Sequence, residues 1–104
     1  MYGRFGKIKT HPGKRDEMVE ILLRAADGLS EFEGCYLYVV NKDKTDPDTI
    51  WVMEAWRSQD DHRASLALAE TQAMIANARP LIADLSGGME FNPVGGKGLT
   101  DMTD

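Results

Sequence analysis

His62 and Ser65 stand three residues apart in a segment patterned as a helix, so their side chains share one face. Just upstream, Glu54 and Trp56 alternate along a β-rich run and point the same way. A short connection between the two segments sets that common face beneath His62. An imidazole beside a carboxylate, an indole and a hydroxyl makes a proton-handling pocket, because histidine titrates near neutrality and a carboxylate can orient it. The plainer alternative is that His62 caps or packs at a helix start while Glu54 pairs with a strand neighbour or a partner chain. Tyr36 and Tyr38 alternate on one face of another strand, where they either hold an aromatic ligand by ring stacking and a phenol hydroxyl or pack across the sheet. Met18, Met53 and Met74 offer a soft pocket lining or plain core filler.

Other chemistries find no support. The only histidines are His11, beside Pro12-Gly13 in an exposed turn, and His62, so no metal-ligand spacing arises and no metal is expected. Neither a Gly-x-Ser-x-Gly elbow nor a phosphate loop occurs. Val94-Gly95-Gly96-Lys97-Gly98 imitates the latter but lacks the earlier Gly and the Ser or Thr after Lys97. Cys35 has no second cysteine to pair with and reads as a buried small hydrophobe. Twelve Lys and Arg against seventeen Asp and Glu leave a net charge of -5 with no basic stripe, which argues against nucleic acid. No signal-peptide or membrane-length apolar run appears, so the expectation is a cytoplasmic chain with no membrane partner.

The elements that must position these residues follow from the pattern. With 104 residues, 42% hydrophobic and 28% charged, the chain fits one domain over residues 1–93 and a Gly-rich tail over 94–104, mobile or laid on a partner. Tyr2 to Thr10 reads as a strand stopped by His11-Pro12-Gly13. From Lys14, apolar Met18, Ile21, Leu22, Ala25, Ala26 and Leu29 step by three and four, a helix closing near Gly28. Cys35 to Val40 and Thr49 to Trp56 form an antiparallel hairpin around the polar loop Asn41 to Asp48. Ser58 is the N-cap candidate of a second helical region reaching about Leu85, with Pro80 expected to split it into two pieces. Met89 to Asn92 is a short last strand.

The order β-α-β-β-α-β is that of the ferredoxin-like α+β fold, with both helices on one face of a four-stranded antiparallel sheet. In the third strand Ile50, Val52, Glu54 and Trp56 face one way while Trp51, Met53 and Ala55 face the other. Both sets are largely apolar, so the second face also needs covering, and a second copy of the same sheet does so as a homodimer.

The turn Lys9 to Lys14, the Gly34-Cys35 start of the second strand, and Trp51-Val52-Met53-Glu54-Ala55-Trp56 followed by Arg57-Ser58 and an acidic helix start resemble the antibiotic biosynthesis monooxygenase family, in particular its quinol-monooxygenase-like members. The resemblance spans about residues 3 to 93. It implies a dimeric α+β barrel whose subunits each hold a ligand cavity. It also implies oxygenation of a small aromatic quinol or phenol by molecular oxygen with no flavin, haem or metal cofactor. In that scheme His62 is the base or anion partner, Glu54 orients it, and Trp56, Tyr36 and Tyr38 wall the ring.

Family members acting on polyketide aromatics carry an Asn and a Tyr at the positions of Val52 and His62, so Trp56 carries over while the other two do not. Haem-degrading relatives carry a Trp and a ligating His at the positions of Ser65 and Ile75, which argues against haem degradation here. The alternative to an enzyme is a non-catalytic dimeric binding module using the same cavity for an apolar aromatic ligand.

Overall fold

The computed structural model describes residues 1–99. Strand β1, Tyr2–Thr10, ends where Pro12 removes a donor and Gly13 turns the chain at φ +79°. Helix α1, Arg15–Gly28, buries Met18 and Leu22 from its apolar stripe and keeps Asp16 and Glu17 at its positive end. Strands β2, Cys35–Lys42, and β3, Thr49–Trp56, form the expected hairpin. Their loop is organised by Asp43, whose carboxylate accepts from the Thr45 and Asp46 amides and from the Trp51 indole at 2.9 Å. Arg15 ties the same loop to α1 by donating to the carbonyls of Asp43 and Asp46.

Helix α2, Gln59–Leu66, starts on Ser58, whose hydroxyl accepts from the Asp61 amide at 3.1 Å. Two helical pieces do follow β3, but they part at Leu68, which is extended at ψ 141°, and not at Pro80. Helix α3, Ala69–Ala78, runs on into a 3₁₀ turn, Arg79–Leu81, where Pro80 occupies an early position that has no helical N–H to lose. Helical structure thus ends at Leu81 and does not persist to Leu85 as the apolar spacing suggested. Ile82 takes ψ 124° and opens strand β4, Ile82–Asp84, because Thr10 and Lys9 on β1 offer it a free edge. Apolar spacing alone does not separate a helix end from so short a strand.

The sheet order is β2-β3-β1-β4, all antiparallel. The fourth position is shared. Strand β4 covers the end of β1 near Lys9, and strand β5, Met89–Phe91, covers Gly3 to Phe5. The sheet therefore has five strands, where four were expected. Gly88 makes the crossing between them possible, since a Cβ there would lie 3.0 Å from the Phe5 carbonyl oxygen.

On the helix side of the sheet, Ile50 and Val52 pack with Met18, Leu22, Ala78 and Leu81. On the other side lie Trp51, Met53 and Ala55, as the alternation in β3 requires. Pro93, the last residue of the expected domain, rests on Gly3 and borders a shallow groove with Leu37 and Met53; of the expected tail, Leu99 reaches that groove while Val94 is exposed. Residues 100–104 of that tail lie outside the described residues. Among the described residues no helix is long and apolar enough to cross a membrane.

Candidate active site

Between the sheet and the three helices lies a cavity of about 840 Å³, a size that suits a small organic ligand. Met18, Leu22, Val52 and Met74 give it apolar walls, and Gly6 lies directly opposite Val52 in the strand register, with open space where a Cβ would stand. One end is polar. There β1 presents Arg4, β3 presents Glu54 and Trp56, and α2 lowers His62 onto them. The register Arg4↔Glu54 places the guanidinium and the carboxylate side by side on the cavity face.

His62 is buried, 8% exposed, with its ring 5.2 Å from that of Trp56 and 5.5 Å from that of Tyr2. Its Nε2 lies 3.1 Å from a terminal nitrogen of Arg4. A guanidinium has donors only, so Nε2 accepts, the imidazole is neutral, and its proton sits on Nδ1. Burial first, and then the Arg4 charge, lower the proton affinity of His62 to a pKa of about 4. Glu54 moves the other way: burial raises its pKa, against the opposing pull of the Trp56 indole N–H, which donates to Oε1 at 3.0 Å, and of Arg4. Nε of Arg4 stands 3.7 Å from the second Glu54 oxygen, too far to donate, and is a buried N–H with no acceptor.

The cavity brings together His62, Glu54, Trp56, Tyr38, Val52 and Ser65. Tyr36 does not join them. A bulge between Cys35 and Leu37 leaves Tyr36 as the unpaired residue of β2, which breaks the alternation with Tyr38 and leaves Tyr36 near Arg57. Tyr38, opposite Glu54, has its phenol pKa pushed up by burial and by that carboxylate, and so stays a hydroxyl donor. Ser65 lines the cavity, yet its hydroxyl donates to the His62 carbonyl at 2.6 Å and is spent on the helix.

Glu54 lies 3.8 Å from His62, beyond hydrogen-bond range, so the direct partner of the imidazole is Arg4. Sequence reasoning missed Arg4, which is 58 positions from His62; only the pairing of β1 with β3 brings it here. Met18 and Met74 line the cavity, whereas Met53 faces the other side of the sheet. Cys35 is half-buried, with its thiol pushed up to about 11, chiefly by burial.

The family model for antibiotic biosynthesis monooxygenase matches residues 1–77, three quarters of the chain and all four residues of the polar cluster. The chain belongs to the antibiotic biosynthesis monooxygenase family. A solved structure from Chloroflexus aurantiacus J-10-fl, named as a candidate member of this family, is 47% identical, with a TM-score of 0.84 over 91% of this chain and 94% of that one. Two similarly named structures share the fold at lower identity. One from Caulobacter crescentus CB15 is 22% identical, with a TM-score of 0.83 over 90% of each chain. The other, from Deinococcus radiodurans, is 21% identical, with a TM-score of 0.79 over 92% and 95%. No curated protein matches the chain.

In this monooxygenase-family member the depressed pKa of His62 has a measurable consequence. Unfolded His62 takes up a proton as pH falls through its ordinary 6.5, and folded His62 only near 4. Between those values the unfolded state binds more protons, so the contribution is full above pH 6.5 and is lost as pH drops toward 4, in total about 3 kcal/mol. Glu54, whose folded pKa is raised, acts with the opposite sign: the folded state binds its proton first, and stability returns as pH falls through that value. Urea unfolding across pH 4 to 7 is expected to show wild type losing stability relative to His62→Gln. Parallel profiles for the two proteins would contradict the buried neutral imidazole.

Proposed function

We propose that this protein oxidises a small aromatic quinol or phenol with molecular oxygen, using the ring itself as the electron source. The observation that carries this reading is the pairing of a neutral imidazole with a carboxylate of raised proton affinity at one end of an apolar cavity. Glu54, and His62 once Arg4 releases its Nε2, then act as proton acceptors toward a ring hydroxyl, and apolar walls keep water from the anion that forms. Loss of the hydroxyl proton gives an electron-rich phenolate able to donate an electron to dioxygen. For a hydroquinone the balance is hydroquinone plus dioxygen giving hydroxyquinone plus water: one oxygen atom bonds to a ring carbon, the other leaves as water, and the ring supplies all the electrons.

In this scheme His62 and Glu54 hold and move the hydroxyl proton. Trp56 fixes the Glu54 carboxylate through its indole N–H. Tyr38 and Val52 flank the ring, with Ser65 securing the helix turn that carries His62. The partner of each subunit is a second copy, paired through the face that carries Phe5, Val39, Met53 and Phe91, of which Val39 and Phe91 are open to solvent. A solution mass near twice 11.6 kDa is expected, and a strict monomer at micromolar concentration would contradict the pairing.

The non-catalytic binding module is favoured by one observation: the Nε2 lone pair of His62 is already engaged by Arg4. Oxygen uptake separates the two readings. Chelator-treated protein with a panel of hydroquinones and anthrones is expected to consume oxygen well above autoxidation. Binding of the same compounds without consumption would establish the module instead.

A further inference from the structure

The geometry points to Arg4 as the anion-recognition residue of the cavity, which transfers its terminal N–H from His62 to the ionised oxygen of a bound ring compound and so frees Nε2 of His62 to accept a proton. This rests on the reading of the cavity as a ring-binding site and adds the group that selects for charge. Three observations support it. The guanidinium is the cation of the polar cluster, because His62 is neutral and acts as its acceptor. Its Nε is buried without an acceptor, a donor in place before any ligand arrives. Two carboxylates flank the guanidinium and each has an oxygen engaged elsewhere: Glu54, 3.7 Å away, accepts from the Trp56 indole, and Glu90, opposite Arg4 on β5, accepts from the Tyr2 hydroxyl.

The transfer reverses the electrostatics at His62. Around the imidazole stand Arg4 and Tyr2 from β1, Glu54 and Trp56 from β3, Glu90 from β5, and Arg63 on its own helix. Arg4 and Arg63 disfavour the imidazolium, while Glu90 favours it. An oxyanion on Arg4 cancels the nearest of the opposing charges and vacates Nε2 in the same movement. For a ring hydroxyl the step is balanced within the site: the O–H bond breaks, an N–H bond forms at His62, the oxyanion stays on Arg4, and net charge is unchanged. For a ligand already ionised, the proton comes from solvent.

The test uses 2-naphthoate and its neutral isostere 2-naphthamide as probes of the full-length protein, followed by calorimetry at pH 5.5 in two buffers of different ionisation heat. Wild type is expected to bind the anion at least about 10-fold more tightly, the size of a charge-assisted hydrogen bond, with net proton uptake accompanying the anion alone. In Arg4→Gln the two affinities converge. In Arg4→Lys, which keeps the charge and checks against a folding defect, part of the preference returns. In His62→Gln the proton uptake disappears.

Equal affinities in wild type, a preference that survives Arg4→Gln, or anion binding without proton uptake would overturn the assignment to Arg4 while leaving the cavity a ring site. If neither probe binds, the ring-site reading falls, and this inference with it.

Discussion

Replacing His62 with glutamine is expected to lower kcat/KM for oxygen consumption by about 100-fold or more, the usual size of a lost general acid or base. Glutamine can still accept from Arg4 through its carbonyl oxygen and occupies a similar volume, so the fold and the Arg4 contact persist. What disappears is a group that takes up a proton and gives it back. The loss should therefore fall mainly on kcat, with KM for the aromatic changed little, because the apolar walls formed by Met18, Val52 and Met74 are untouched. Steady-state kinetics on purified variants check this. Activity within a few-fold of wild type would reduce His62 to a packing residue between Tyr2 and Trp56.

Trp56→Ala should be the most damaging single change to stability. Trp56 is 1% exposed, packs edge-on against Phe32 and His62, and ties down Glu54 through its indole N–H. Truncation removes the largest fully buried side chain among the described residues and leaves a buried carboxylate oxygen without its donor, at a cost of about 3–5 kcal/mol. That is a large part of the roughly 5–15 kcal/mol available to a domain of this kind. Trp56→Phe keeps most of the apolar volume but still orphans the Glu54 oxygen, so it should cost less and raise the Glu54 pKa further. Urea titration of both variants measures the order. A Trp56→Ala protein within about 1 kcal/mol of wild type would show that the indole is not a structural keystone.

The fold was largely legible in the sequence because its strongest signals were local. The Met18 to Leu29 stripe, the Pro12-Gly13 stop, the NKDKTDPD loop and the Ser58 cap each act over a few residues, and each appears where periodicity and turn chemistry put it, except that Asn41 and Lys42 pair with Trp51 and Ile50 and extend β2, so the loop starts at Asp43. The failures were also local in origin. One unpaired residue, Tyr36, flips the face on which its neighbours lie, and nothing in the residue types of β2 announces a bulge. Ile82 keeps helical spacing with Ala78 and yet is drawn into a strand by the open edge of β1.

The candidate site was half legible. Glu54, Trp56 and His62 are close in sequence, so a short strand-to-helix connection suffices to gather them. Arg4 comes from the other end of the domain and is positioned only by the β1–β3 register. Without it, the charge state of His62 reads backwards: beside a carboxylate alone the imidazole would hold a proton more tightly, whereas burial against a guanidinium makes it neutral.

The most direct test of the central claim, that this cavity performs monooxygenation, is turnover of a reactive hydroquinone under isotopically labelled dioxygen, with mass spectrometry of the product and parallel peroxide detection. One labelled oxygen atom is expected in the hydroxyquinone and the other in water, with little peroxide and with loss of labelling in His62→Gln. Stoichiometric hydrogen peroxide with an unlabelled quinone would contradict the claim, showing that the protein at most helps the ring pass electrons to oxygen without inserting an oxygen atom.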